Sequence, residues 1–450
     1  MNPDGTLHMA RRLFWSAFTG WQAFREPSLP YWPPERLAAL QSRRLRRIVH
    51  YAYDTFPYYR DLFDREHLRP EQIRCADDLR KLPIVEADAL CHAPDSFVSQ
   101  RYRAGSGAML MSSGVSGNSK LVHWDTAALC RILASKHRYR EVLARFVGKT
   151  FGYREMSVSN PENVAIALRA FYEANTWVPR SVDYERSRAL STSSFDEILE
   201  QIDAYRPDHL GGYGATLGAL YRYAHEHGTP FYRPLLITYG ASNLPEQDRV
   251  LLEERYNIPV VSSYQASEFL RIAYQCELRQ SFHVCIDQVA FRVVDDDGVD
   301  VRPGEQGRII LTNLVNHGTV LLNYALGDLV ILGEGPCACG RTLPTIRAIV
   351  GRAFDLLVLP GGQRTHMDGL IKGFAYRRHL VQWQMEQYTL YRYTVRVVPD
   401  SQVDWDTLAT ALALHLRQMI HPEAVIAIER LEYIPVGRSG KFKACISHLS

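Results

Sequence analysis

The stretch Ser112-Ser113-Gly114-Val115-Ser116-Gly117-Asn118-Ser119-Lys120 concentrates groups that bind anions. Gly114 and Gly117 leave the backbone free to turn its N–H groups toward a charge, the serine hydroxyls add donors, and Lys120 adds a cation. Such a loop suits a polyphosphate. Taken alone, it suits a polar hairpin turn equally well, because apolar Met109-Leu110-Met111 and Leu121-Val122 flank it like two strands. The phosphate loop of ordinary nucleotide triphosphatases is absent: Gly148-Lys149-Thr150 has its tail, but Leu143 stands where the leading glycine is required.

Three further segments carry groups that a nucleotide enzyme needs. Tyr264-Gln265-Ala266-Ser267-Glu268 follows an apolar run and presents a ring, a hydroxyl and a carboxylate at a strand end. The ring can stack on a base, and Glu268 can hold Mg²⁺ beside phosphates. Asn323-Tyr324-Ala325-Leu326-Gly327-Asp328 places an acid at a tight turn, suited to ribose hydroxyls. Val436-Gly437-Arg438-Ser439-Gly440-Lys441 sets a lysine on a glycine-flanked loop. Each alone also reads as a surface turn or a solvated lysine.

A second constellation is metal-ligating. Cys276 and His283, with Cys337 and Cys339, offer four soft ligands, and a Cys-x-Cys pair can chelate where alternate residues converge at a turn. Cys₃His suits structural zinc; the alternative is four unrelated thiols and imidazoles, and Cys285 is the nearest substitute ligand. His225 and His227, around Glu226 on an expected exposed helix, read as surface.

The elements that must position these groups follow from hydrophobic spacing. Leu37, Leu40, Leu45, Ile48 and Ala52 define one face of a helix from Pro34 to about Tyr53, and a second helix is expected from Thr126 to Phe146. Between about 205 and 315, apolar runs such as 235–239 and 259–261 follow helical stretches at 215–226 and 246–255. That alternation predicts parallel strands with crossover helices and a site beyond the strand C-terminal ends. An antiparallel section at 289–294 and 308–314 comes next. A smaller region after Gly351-Arg352 holds expected strands at 388–398 and 425–434 around a helix at 405–419.

With 450 residues, two or more domains are expected. A composition of 46% hydrophobic and 22% charged residues is that of a soluble globular protein, and a net charge of +3 gives no reason to expect nucleic acid or an anionic membrane as partner. Arg43, Arg44, Arg46 and Arg47 read as a solvated helix face. No segment has membrane-spanning length, and Arg11, Arg12, Gln22 and Arg25 interrupt the apolar Leu13-Phe14-Trp15 cluster, so no signal peptide is expected. A cytoplasmic location follows as the expectation, with the eight cysteines as thiols or metal ligands.

In order and spacing these motifs resemble the adenylate-forming superfamily of acyl-CoA synthetases, most closely its phenylacetate–CoA ligase / CapK-like branch. Phe56-Pro57-Tyr58-Tyr59-Arg60 and Asp78-Leu79-Arg80-Lys81-Leu82-Pro83 look like that branch's opening segments. The serine loop resembles the family's phosphate loop, Tyr239-Gly240-Ala241-Ser242 its adenine-flanking strand end, and Tyr264 to Glu268 its Tyr-Gly-x-Ser/Thr-Glu motif. Tyr324 to Asp328, Gly351-Arg352 to Asp355 and Ser439-Gly440-Lys441 resemble the ribose, hinge and catalytic-lysine motifs.

The resemblance implies an α/β architecture: a large adenylation domain over 1–353 with mixed and parallel sheets, and a small mobile α+β lid over 354–450 that carries the lysine. It implies reaction of a carboxylic acid, aromatic or otherwise small, with ATP and Mg²⁺ to give acyl-adenylate and pyrophosphate. Transfer to a thiol follows, on coenzyme A or a carrier-protein phosphopantetheine. Lys441 and Glu268 are the implied catalytic groups, with Glu268 holding Mg²⁺. Ser112, Ser113, Gly114, Ser116, Gly117 and Lys120 would guide the phosphates. Gly240, Ala241, Ser242, Tyr264 and Ser267 would flank the nucleotide, and Asp328 and Arg352 would grip the ribose. Cys276, His283, Cys337 and Cys339 correspond to segments associated with zinc in the branch. The chain departs from the pattern at Val115 and Ser119 in the phosphate loop, at Asn323 and Ala325, and at Phe354, where the hinge usually has an acid. The last departure leaves an amine acceptor open, and a non-catalytic nucleotide-binding homologue is the third reading. A monomer or homodimer is expected.

Overall fold

Short β-branched runs, each returned by a helix, must pair side by side and in parallel, and they build one half of a long sheet. In this computed structural model, which describes residues 3–99, 101, 107–111, 120–160, 163–177, 186–352, 357–365, 367–400, 402–432, 434 and 444–449, that sheet has eleven strands. Arg186–Leu190, Glu155–Ser159, His209–Tyr213, Leu236–Gly240 and Val260–Tyr264 are adjacent and parallel. The chain then reverses, and Ala273–Gln275, Phe282–Val284, Thr345–Arg352, Tyr324–Leu332, Gln306–Asn313 and Val289–Val294 continue the sheet antiparallel. The parallel strands are buried against the Phe195–Tyr205 and Gly214–Glu226 helices, which explains their continuous apolar texture.

The expected helices at 34–53 and 126–146 are Pro34–Thr55 and Thr126–Val147. The second starts where Asp125 caps it, accepting from the Ala128 N–H at 2.8 Å, and stops at Gly148, whose φ of 79° few other residues adopt. Gly107–Met111 and Leu121–Asp125 form an antiparallel hairpin, as the apolar flanks of the serine loop predict. The loop itself, Ser112 to Ser119, lies outside the described residues, as do Phe354, Asp355 and Ser439-Gly440-Lys441.

Arg138, on the Thr126–Val147 helix, is fully buried and ties three distant segments together. It makes a two-pronged pair with Asp287 at 2.8 Å and 2.8 Å, and its Nε meets Glu26 just beyond the Pro3–Arg25 helix. Arg44 corrects the expectation of a solvated run: its guanidinium turns inward to Asp287 at 3.3 Å, while Arg43, Arg46 and Arg47 stay exposed. Local periodicity carries no record of an acid more than two hundred positions away.

A separate core runs from Leu357 to Cys445. Its sheet orders Val425–Arg430, Arg392–Pro399, Leu380–Thr389 and Cys445–Ser447, with the Trp405–Ile420 helix against it. The strand expected at 388–398 is thus two strands, because the chain turns at Leu390-Tyr391 and a missed partner precedes it. Gln247 Nε2 bridges the two regions by donating to the carbonyls of Leu380 and Val381, at 3.1 Å and 3.0 Å. No described helix is long and apolar enough to cross a membrane.

Candidate active site

The parallel strands Leu236–Gly240 and Val260–Tyr264 end side by side, and a cleft of about 1260 Å³ opens beyond them. Gly240, Ala241, Ser242, Tyr264 and Asp328 line it, facing Arg377, Trp383 and Ala444 of the C-terminal region. Ala241 adopts a left-handed φ of 61°, which turns the chain sharply at the strand end. Ser242 Oγ then accepts from the Ala215 N–H at 3.1 Å. The close approach requires Gly214: a Cβ there would stand 2.6 Å from the Ser242 carbonyl oxygen.

Asp328 lies within the Tyr324–Leu332 strand, which corrects the tight-turn expectation. Gly327 has φ 89°, and the pairing jumps from Leu329 opposite Arg308 to Ala325 opposite Ile310, so the strand bulges where Asp328 emerges. There the carboxylate accepts from the Tyr264 hydroxyl at 2.6 Å. On the neighbouring strand Arg352 is its register partner.

Lys120 and Glu268, 148 positions apart in sequence, meet at 3.1 Å with both side chains largely buried. Lys120 also stands 5.4 Å from the centre of the Tyr324 ring, a favourable position for a cation. Two contacts hold the Glu268 segment: Trp124 Nε1 donates to the Ser267 carbonyl at 3.1 Å, and Asn313 Nδ2 donates to the Glu268 carbonyl at 3.4 Å. Ser267 thereby contributes its backbone to the hairpin that carries the serine loop. Neither Trp124 nor Asn313 was foreseen, although Val122 and Trp124 alternate inward on a strand, the pattern of a buried face.

The soft ligands converge as well. One ligand atom from each of Cys276, His283, Cys337 and Cys339 lies within 4.8 Å of the others. Cys276 Sγ and Cys337 Sγ are 3.8 Å apart, and Cys339 Sγ and His283 Nε2 are 3.4 Å apart. A tetrahedral zinc with ordinary bond lengths requires about 3.8 Å between sulfurs and about 3.5 Å between sulfur and nitrogen, so the set fits. Pairing of Thr345 with His283 brings the Cys-x-Cys turn alongside. Burial pushes the Cys276 thiol up to about 12 and, helped by Arg341, brings His283 down to about 4, leaving the imidazole neutral as a ligand must be. Burial also opposes ionisation of Cys339, but hydrogen bonds from Arg341 outweigh it and hold that thiol below its usual value. Cys285 is buried apart from this set, beside Arg138 and Asp287, and His225 and His227 are exposed. Lys149, of the discounted Gly148-Lys149-Thr150, pairs at 3.5 Å with Asp208.

No family model matches the chain. A phenylacetate-coenzyme A ligase from Thermus thermophilus is 28% identical over 354 residues, 75% of each chain. Another of that name, from Aromatoleum evansii, is 24% identical over 347 residues, 73% of each. Among solved structures, 2-hydroxyisobutyryl-CoA ligase in its postadenylation state matches with a TM-score of 0.71 at 16% identity, over 94% of this chain and 91% of that one. The same ligase in its thioesterification state gives 0.59 at 15% identity, again over 94% and 91%. Fold and motif order together define an adenylate-forming enzyme. Over about three quarters of its length the chain is similar to phenylacetate-coenzyme A ligases, and it shares the fold of an adenylate-forming CoA ligase, which supports an acid–thiol ligase.

Proposed function

We propose that this protein joins a small carboxylic acid to ATP, releases pyrophosphate, and passes the acyl group of the resulting adenylate to the thiol of coenzyme A. The observation that carries the reading is the meeting of Lys120 with Glu268 near strand ends where Tyr264 orients Asp328. Attack of a carboxylate on the α-phosphorus crowds several negative charges together, so fixed cations must neutralise them as they develop. Lys120 is one such cation, held by Glu268 until phosphate oxygens take it. Glu268 would then be free to hold Mg²⁺, which supplies further positive charge on the phosphates. Asp328, oriented by the Tyr264 hydroxyl, would accept from the ribose hydroxyls. Ser112 to Ser119 would complete the phosphate cradle, Arg352 would assist at the ribose, and Lys441, on a lid beginning near residue 354, would reach the reacting carboxylate.

Pyrophosphate exchange into ATP across a panel of small acids tests the reading; no exchange with any acid sinks it. Product analysis with coenzyme A, carrier protein and amines then identifies the acceptor. An amine product is the second reading, favoured by Phe354 at the hinge position. Asp328→Ala is expected to raise KM for ATP about tenfold or more, since it deletes charged hydrogen bonds made in ground and transition states alike. An unchanged KM removes Asp328 from the ribose site.

Cys276, His283, Cys337 and Cys339 are further proposed to hold one structural zinc. Elemental analysis of the purified chain is expected to find one equivalent. Strong chelation or Cys276→Ser should lower the thermal midpoint by roughly 5 °C or more, because metal-binding free energy is folding free energy. A metal-free protein of unchanged midpoint on chelation rules the ion out.

A further inference from the structure

Arg271 is a buried cation for which the described residues offer no partner. Its side chain is 7% exposed, its Nη1 is sealed from solvent without a hydrogen bond, and no carboxylate among the described residues pairs with it. The Tyr139 ring lies 5.3 Å from the guanidinium carbon, and Tyr172 and Cys285 also stand close enough to interact with the charge. A cation–π contact recovers a small part of what burying an unpaired charge costs. The other two buried arginines among the described residues are paired: Arg138 has two carboxylates, and Arg341 meets Glu277 at 2.8 Å.

The backbone delivers this side chain deliberately. Arg271 follows Glu268 by three positions, Leu270 takes a left-handed φ of 56°, and the N–H of Ile272 returns to the Tyr264 carbonyl at 3.0 Å. This closed loop turns Arg271 toward Tyr139 on the Thr126–Val147 helix. Arg271 is not among the residues lining the cleft that holds Tyr239 to Ser242 and Asp328. Tyr139 in turn interacts with Thr238 and Tyr239, on the strand that ends at that cleft, so Arg271 stands one ring behind the cleft wall.

Resting on the acid-activation reading, we infer that Arg271 binds a second anionic oxygen group, a carboxylate, on the end of the acid away from the carboxyl that is activated. The guanidinium fork matches two carboxylate oxygens at once, and a sealed site makes that pairing selective. Tyr139 would cover the substrate beside it. The substrate class is then a dicarboxylic acid or a carboxyl-substituted aromatic acid.

Calorimetric titration of the full chain with two matched pairs, phenylacetate with 4-carboxyphenylacetate and butyrate with glutarate, tests the assignment. In at least one pair the diacid should bind about tenfold tighter or better. Arg271→Met should bring that ratio to about one, and Arg271→Lys, which keeps the charge without the fork, should retain part of it. Equal or absent binding within both pairs overturns the inference, as does equal weakening of monoacid and diacid by Arg271→Met, which would place Arg271 on the shared carboxyl. Pyrophosphate exchange is read on the same samples: a diacid preference without exchange tells against adenylation and leaves the Arg271 assignment standing.

Discussion

Glu268→Gln is expected to lower pyrophosphate exchange by about 10²- to 10³-fold while the protein stays folded, the scale seen when one fixed charge-stabilising group is removed from an active site. The change is isosteric. The amide oxygen can still accept from Lys120, so the 3.1 Å contact and the surrounding packing have no reason to fail. What disappears is a buried negative charge. Glu268 is 5% exposed, and in so shielded a place a carboxylate balances a cation far better than it would in water. The ion pair with Lys120 is then lost, and the metal-holding role has no second candidate in the Tyr264–Glu268 segment. Exchange measured over a wide Mg²⁺ range decides the matter. Activity within a few-fold of wild type would show that Glu268 only positions Lys120. A loss recovered at high Mg²⁺ would instead support the metal-holding role.

The second large effect lies far from the chemistry. Arg138→Met should cost about 3–5 kcal/mol of stability, read as a shift of the urea midpoint, because it strands buried Glu26 and leaves buried Asp287 with Arg44 alone. The acids differ. Burial favours protonation of both, but Asp287 has both prongs of Arg138 and Arg44 besides, and these hold its carboxyl below the ordinary range. Glu26 has the single Nε contact, and burial outweighs it, raising its carboxyl. The signs are therefore opposite. Stabilisation from Asp287 is present above the unfolded carboxylate range and is lost as pH falls through its depressed folded value; that from Glu26 is present at low pH and is lost as pH rises through its raised value. In wild type the Asp287 contribution should dominate acid unfolding, and Arg138→Met should weaken that acid-side dependence, with Arg44 left as the remaining cation at Asp287. A double change, Arg138→Met with Asp287→Leu, should recover part of the loss, since an apolar replacement leaves fewer stranded charges. A single variant within about 1 kcal/mol of wild type would mean that the network contributes little.

Much of this protein is readable one residue after another because its chemistry is local. The Ser-Gly loop, the Tyr264 to Glu268 segment and the strand ends at Gly240 and Tyr264 announce themselves through glycine, turn residues and apolar runs, whose conformational preferences act over a few positions. The parallel strands and the two long helices follow for the same reason. Arg44 was misread because its partner Asp287 comes from another element, and the strand at 388–398 because an apolar run does not mark a two-residue hairpin within itself.

By itself the sequence determined which chemical groups are present, their order, and the alternation of strand and helix, since these depend on side-chain type and short-range periodicity. Tertiary structure alone decided which groups meet. Only pairing across the sheet sets Lys120 against Glu268, turns Asp328 to the Tyr264 hydroxyl through a bulge, and gathers Cys276, His283, Cys337 and Cys339 within 4.8 Å. It also left Arg271 buried without a described partner, because whether a cation is sealed or solvated depends on everything packed around it, and spacing along a chain does not encode that.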